Sequence, residues 1–178
     1  MAKVSPLMIA PPVIFAALAA MFYFGMQRED PDALPSVLIG QPAPAMTLTP
    51  LGSEPTFSVE DLSQPGVKLV NYWASWCGPC RVEHPNIQAL ADEGIPVYGV
   101  NYKDDPAKAQ AFLEELGNPY VAIGADNAGR TGLDWGLYGV PETFVIDGDG
   151  NVVLRFAGPI TQRALEAQVR PAIEAARE

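Results

Sequence analysis

At 178 residues the chain is long enough for one domain with its own hydrophobic core, and 21 Asp and Glu against 11 Lys and Arg leave a net charge of −10. That balance excludes nucleic acid as a partner, because phosphate binding needs a basic surface and no cluster of Lys or Arg exists. The two cysteines, Cys77 and Cys80, are too few for a disulfide scaffold and too close together to stabilise the fold by closing a loop.

The chain opens with Lys3 and then an uncharged run, residues 6–26. As a helix at about 1.5 Å per residue, this run reaches about 32 Å, enough to cross a hydrocarbon core of about 30 Å. The prolines Pro11 and Pro12 are tolerated in such spans. Positive charge before the run and Glu29, Asp30 and Asp32 after it predict a short cytoplasmic end over 1–5 and export of the rest. A cleaved signal peptide is the competing reading, with Ala17-Leu18-Ala19 as the cleavage site, but the apolar run continues past it. Residues 27–38, polar and holding Pro31 and Pro35, read as a tether to a domain over 39–178.

Within that domain, strand and helix signals alternate. Val67 to Ala74 is almost all apolar and follows Gly66, as a strand buried on both faces would. Pro79 suits the first position of a helix carrying Ile87, Leu90 and Ala91, with Pro85 expected to kink it. Ile95 to Asn101 reads as a second strand. Asp105-Pro106 opens a helix that Gly117 ends, Tyr120 to Ile123 is a third strand, and a helical turn spans Thr131 to Trp135. Thr143 to Ile146 and Val152 to Phe156 flank a turn-forming Asp147-Gly148-Asp149-Gly150-Asn151, which predicts a hairpin. Thr161 caps a last helix with Leu165, Val169 and Ile173 on one face, interrupted by Pro171. The pattern predicts an α/β domain with a mixed central sheet flanked by helices.

The chemistry concentrates in Trp76-Cys77-Gly78-Pro79-Cys80, between a buried strand and a helix. Two intervening residues let the sulfurs close across one turn. At a helix start, free N–H groups and the dipole favour the Cys77 thiolate and lower its pKa. Cys80, one turn in, becomes the resolving thiol that releases a mixed disulfide. A c-type haem site would need a histidine where Arg81 stands, and with His84 the chain has only three soft zinc ligands. His84 itself reads as a surface or partly packed residue. No metal or other cofactor is expected; the pair Cys77–Cys80 carries the electrons.

These residues resemble the CcmG/DsbE family, membrane-anchored thioredoxin-like proteins of cytochrome c maturation. The resemblance spans nearly the whole chain. It rests on Ile39 to Pro44, Trp73 to His84, Gly99 to Asp105, Gly117 to Tyr120, and Tyr138 to Gly148. It implies a thioredoxin-like fold with an N-terminal transmembrane anchor in a bacterial inner membrane and the domain in the periplasm. It also implies a cis peptide before Pro141, with Val140 and Pro141 pairing with an incoming peptide and Trp76 covering the sulfurs. Where general thioredoxins carry a buried Asp, this chain has Asn71, which cannot take a proton. Glu83 and Glu142 match the family's acidic positions and are expected to accept the proton of Cys80.

The activity implied is reduction of disulfides in apocytochrome c, or in a maturation factor, before haem attachment. The electrons would come from a membrane donor of the DsbD/CcdA type. A broader-specificity anchored reductase of envelope proteins is the nearest alternative, and a redox-inert scaffold or metal-binding protein represents a different class. A DsbA-type oxidase would need an inserted helical domain that this length does not provide.

Overall fold

The computed structural model describes residues 6–26 and 37–177, which fall into two units, one within residues 1–35 and one within 36–178. The expected cytoplasmic end, and the tether except for residues 37 and 38, lie outside the described residues. The first unit is helix α1, Pro6–Met26. Its side chains are described for residues 10–25, and over the described residues no helix is long and apolar enough to cross a membrane. The span expected over residues 6–26 therefore remains a reading of the sequence.

The second unit is built on six strands: β1 (Thr49–Pro50), β2 (Lys68–Trp73), β3 (Val97–Tyr102), β4 (Ala122–Asp126), β5 (Glu142–Ile146) and β6 (Val152–Ala157). Their order across the sheet is β1-β4-β3-β2-β5-β6. Strands β2, β3 and β4 are parallel, joined by crossover helices α3 (Gly78–Asp92) and α4 (Pro106–Leu116). Strands β5 and β6 form the antiparallel hairpin, and β5 pairs antiparallel with β2. All six residues of β2 are buried, as a central strand covered on both faces requires.

Alternation along β2 divides its side chains between two cores. Leu69 and Trp73 pack with Ile87, Leu90, Phe112, Leu165 and Val169. Val70 and Tyr72 pack with Leu62, Trp135, Phe144 and Val152 on the other face. The expected elements sit close to where the pattern placed them, with instructive shifts. The third parallel strand runs from Ala122 to Asp126 rather than Tyr120 to Ile123. Tyr120 leaves the ladder because its ring stacks on Trp73, with centroids 5.6 Å apart, and its hydroxyl donates to Asn71. Gly124, which looks too small for a strand, leaves room for Leu48.

Helix α3 starts at Gly78, with Pro79 in its first turn, and continues through Pro85 to Asp92. The turn α2 (Val59–Leu62) and the two-residue β1 are too short to leave a periodic signal. Helix α5 covers Arg130–Asp134, one residue earlier than the turn expected over Thr131 to Trp135. The C-terminal helix is α6 (Gln162–Ala164), a π turn over Leu165–Val169, and α7 (Arg170–Ala175). The wide turn precedes Pro171, whose ring cannot follow a regular α turn, and it keeps Leu165, Val169 and Ile173 in the core.

A Cβ on Gly124 would lie 2.5 Å from Leu48 Cδ1 and 2.6 Å from its Cβ, so no change of Leu48 rotamer relieves the contact. Gly124→Ala should therefore lower stability by about 1–3 kcal/mol in chemical denaturation. A variant as stable as the parent would show that Leu48 is not held against β4.

Candidate active site

Cys77 is the N-cap of α3, with extended backbone (φ −87°, ψ 104°), and Cys80 lies in the first turn. Their sulfurs are joined at 2.04 Å. The amide of Cys80 donates to Cys77 Sγ at 3.1 Å, so an orphan helix donor points at that sulfur. The helix-start donor and the dipole favour negative charge on Cys77 Sγ. Both residues are nearly covered in this oxidised state, 4% and 2% exposed.

The chain before Cys77 is held by the segment after β3. The Asp104 carboxylate accepts from the Ser75 amide at 2.6 Å, the Ser75 hydroxyl at 2.7 Å and Asn101 Nδ2 at 2.9 Å. Trp76 Nε1 donates to the Lys103 carbonyl at 3.1 Å, which fixes an indole that is 59% exposed. Lys103 takes a positive φ of 46° to present that carbonyl. Asn101, Lys103 and Asp104, within the Gly99 to Asp105 block, thus clamp the redox loop.

Under the disulfide lies a buried polar network. Glu83 follows Cys80 by one turn on the same face of α3 and is 1% exposed. One carboxylate oxygen accepts from Asn71 Nδ2 and the other from the Ile160 amide, both at 2.9 Å. Asn71 also donates to Thr143 Oγ1 at 3.0 Å and accepts from the Tyr120 hydroxyl at 2.8 Å. Burial drives the Glu83 pKa from 4.5 to about 7, outweighing the two hydrogen bonds that pull it down. Asn71, Thr143 and Tyr120 hold the carboxylate in place but do not compete for its proton.

Glu142 occupies a different position from the one its expected role requires. Asn71 pairs with Thr143 and Tyr72 with Glu142, so alternation puts Glu142 on the Tyr72 face, opposite Glu83. There it is 2% exposed and accepts from Arg155 Nε at 2.8 Å, the Tyr138 amide at 2.7 Å and the Gly139 amide at 3.2 Å. Its carboxylate ties down the loop ahead of β5; it does not face Cys80. In that loop Val140 is half-buried, Pro141 is buried, and the peptide between them is cis, as the resemblance implied.

His84 is buried rather than on the surface. Its Nε2 lies 3.0 Å from the Gly117 carbonyl, its ring meets Phe112 edge-on, and burial holds its pKa below the usual value. Among the described residues no group of three or more His, Cys, Asp or Glu is placed to hold a metal ion. Sequence reasoning missed Tyr120, Ile160, Asp104 and Arg155 as members of the site. Asp104 and Tyr120 carried a signal, their places within Gly99 to Asp105 and Gly117 to Tyr120; Ile160 and Arg155 carried none.

The raised pKa of Glu83 makes stability depend on pH. The native state keeps this proton up to about pH 7, whereas an unfolded Glu releases it near 4.5. Between those values the native state binds more protons, so stability falls as pH rises, by on the order of 3 kcal/mol. Urea denaturation of the oxidised protein from about pH 5 to about pH 8 should show this fall relative to Glu83→Gln. That variant loses one N–H contact, so it starts less stable, but it lacks the slope. His84, with its lowered pKa, contributes the opposite sign in both proteins and cancels in the comparison. Parallel curves would contradict a carboxyl titrating that high.

The redoxin family model matches residues 38–172. The thiol:disulfide interchange protein HelX of Rhodobacter capsulatus is 51% identical over 166 residues, covering 93% of this chain and 94% of that protein. The DsbE homolog of Paracoccus denitrificans is 46% identical over 176 residues, 99% of this chain and 98% of its own length. DsbE of Escherichia coli K12 is 43% identical, covering 92% and 91%. Among solved structures, a DsbE-assigned protein of Chlorobium tepidum superposes with a TM-score of 0.62 at 29% identity, covering 77% of this chain and 96% of that one. The chain therefore belongs to the redoxin family, within its DsbE/HelX group of thiol:disulfide interchange proteins.

Proposed function

We propose that the chain is a thiol–disulfide oxidoreductase that reduces the disulfide of apocytochrome c, or of a maturation factor serving it, before haem attachment. The observation that carries this reading is the Cys77–Cys80 pair at a helix N-terminus, with a buried carboxyl of pKa about 7 one turn below it. A base titrating near neutral pH suits proton transfer from a thiol.

In the reduced protein, the Cys77 thiolate attacks one sulfur of the partner's disulfide. A bond forms between Cys77 and that sulfur, and the partner's other sulfur leaves and takes a proton. Glu83 then accepts the proton of the Cys80 thiol as Cys80 attacks Cys77 Sγ. The internal disulfide closes and the partner leaves as a dithiol. Two electrons have passed from the pair to the partner. Val140 and Pro141 offer backbone to the bound segment, Trp76 covers one flank, and Glu142 holds the loop that carries Val140. The pair itself is the redox centre and needs no added cofactor.

In the same reading, residues 6–26 anchor the chain in a bacterial inner membrane, with 1–5 on the cytoplasmic side and 27–38 as the tether. Residues 39–178 then work in the periplasm, where an oxidising environment closes paired cysteines. A membrane dithiol donor of the DsbD/CcdA type restores the reduced pair. The uncharged run and the acidic residues that follow it support this layout.

Cys80→Ser should accumulate a mixed disulfide through Cys77, because the resolving thiol is gone. Mass spectrometry of the trapped species should identify few partners, apocytochrome c or a maturation factor together with the donor. Deleting the gene should lower c-type cytochromes, and added small thiols should restore them. Many unrelated trapped envelope proteins with normal cytochromes would instead make it a general reductase.

A further inference from the structure

Strand β6 contributes a buried cation directly behind the loop that precedes β5. Arg155 and Glu142 side chains are only 5% and 2% exposed, with Nε and Oε2 2.8 Å apart. The guanidinium also lies against the Tyr138 ring, its Cζ 4.4 Å from the centroid. Glu142's other oxygen holds the Tyr138 and Gly139 amides at 2.7 and 3.2 Å. Backbone and ring of one residue are therefore fixed by the two members of a single ion pair. The outer face of that ring is open, for Tyr138 is 68% exposed.

This is a costly way to stabilise a fold. A buried ion pair recovers little beyond what its desolvation costs, and apolar residues of similar volume often do as well. Here Arg155 Nη2 is also buried with no hydrogen-bond partner among the described residues, a further penalty. What the pair does supply is a defined position for residues 138–141 and a rigid aromatic surface facing solvent. Aromatic anchors of this kind dominate recognition because they lose little freedom on binding.

We propose that Arg155 is a positioning residue for partner docking, and that Tyr138 is the aromatic contact it presents to a disulfide-bonded polypeptide. The inference deepens the reductase reading and rests on it. The recognised chemistry is an extended peptide with an apolar or aromatic side chain beside its disulfide. A small disulfide, which has no such side chain, gains nothing from the contact.

The test compares reduced full-length proteins acting on an oxidised Cys-x-x-Cys-His peptide with a leucine or phenylalanine beside its disulfide and on oxidised glutathione, using the ratio of the two second-order rate constants. Arg155→Met and Tyr138→Ala should each lower the ratio about tenfold, through KM rather than kcat, while Tyr138→Phe stays within about twofold of the parent. A variant that merely loosened the fold would slow both reactions alike and leave the ratio unchanged. Should Arg155→Met fail to fold, exposed Tyr138→Ala still decides the matter. An unchanged ratio in Tyr138→Ala, or in a folded Arg155→Met, overturns the proposal. A parent protein that leaves the peptide oxidised but reduces glutathione defeats the reductase reading, and the docking inference falls with it.

Discussion

Both oxygens of the Glu83 carboxylate meet N–H donors, from Asn71 and from the Ile160 backbone, in a site that is 1% exposed. Much of the domain is arranged around that contact. Asn71 comes from the central strand, Ile160 from the segment that leads into the C-terminal helix, and Glu83 from the helix that begins at the cysteines. Tyr120 and Thr143 reach Asn71 from the third parallel strand's approach and from the hairpin. Four chain segments remote in sequence thus converge on one buried acid. An amide at position 71 is suited to this work: it donates to the carboxylate, accepts from the Tyr120 hydroxyl, and leaves the proton to Glu83 alone.

The two acids that the sequence paired have separate tasks because a strand alternates its faces. Glu83 serves the sulfur side of the sheet. Glu142, one residue along from Thr143, serves the other side, where Arg155 neutralises it and two loop amides complete its hydrogen bonding. The cysteines therefore sit between two supports. Asp104 and the Lys103 carbonyl hold the chain before Cys77, and Glu142 holds the loop across from it. Rigid surroundings of this kind let a short motif act with a defined geometry.

The α/β order, the hairpin, the capped helices and the cysteine pair were legible in the sequence because each leaves a local mark. Val67 to Ala74 is a continuous apolar run, Asp105-Pro106 is a helix start, and Asp147 to Asn151 is a turn. The register of β4 was not, since Tyr120 has strand propensity but its ring is claimed by Trp73 and Asn71. Burial of His84 escaped notice for a similar reason, as its partners Phe112 and Gly117 belong to another helix and its end. The side of the sheet on which Glu142 lies depends on strand register, which residue identities alone do not fix. Arg155 and the Ile160 amide carry no motif at all; only the fold brings them to the site.

Transfer of the Cys80 proton to Glu83, whose carboxyl titrates near pH 7, is the step on which the proposed resolution of the mixed disulfide depends. It is tested most directly by stopped-flow measurement of that resolving step alone, on a preformed mixed disulfide through Cys77, across about pH 5 to about pH 9. The rate should rise with an inflection near pH 7, and a Glu83→Gln protein should be slower and lack that inflection. The same inflection and the same rate in Glu83→Gln would contradict it.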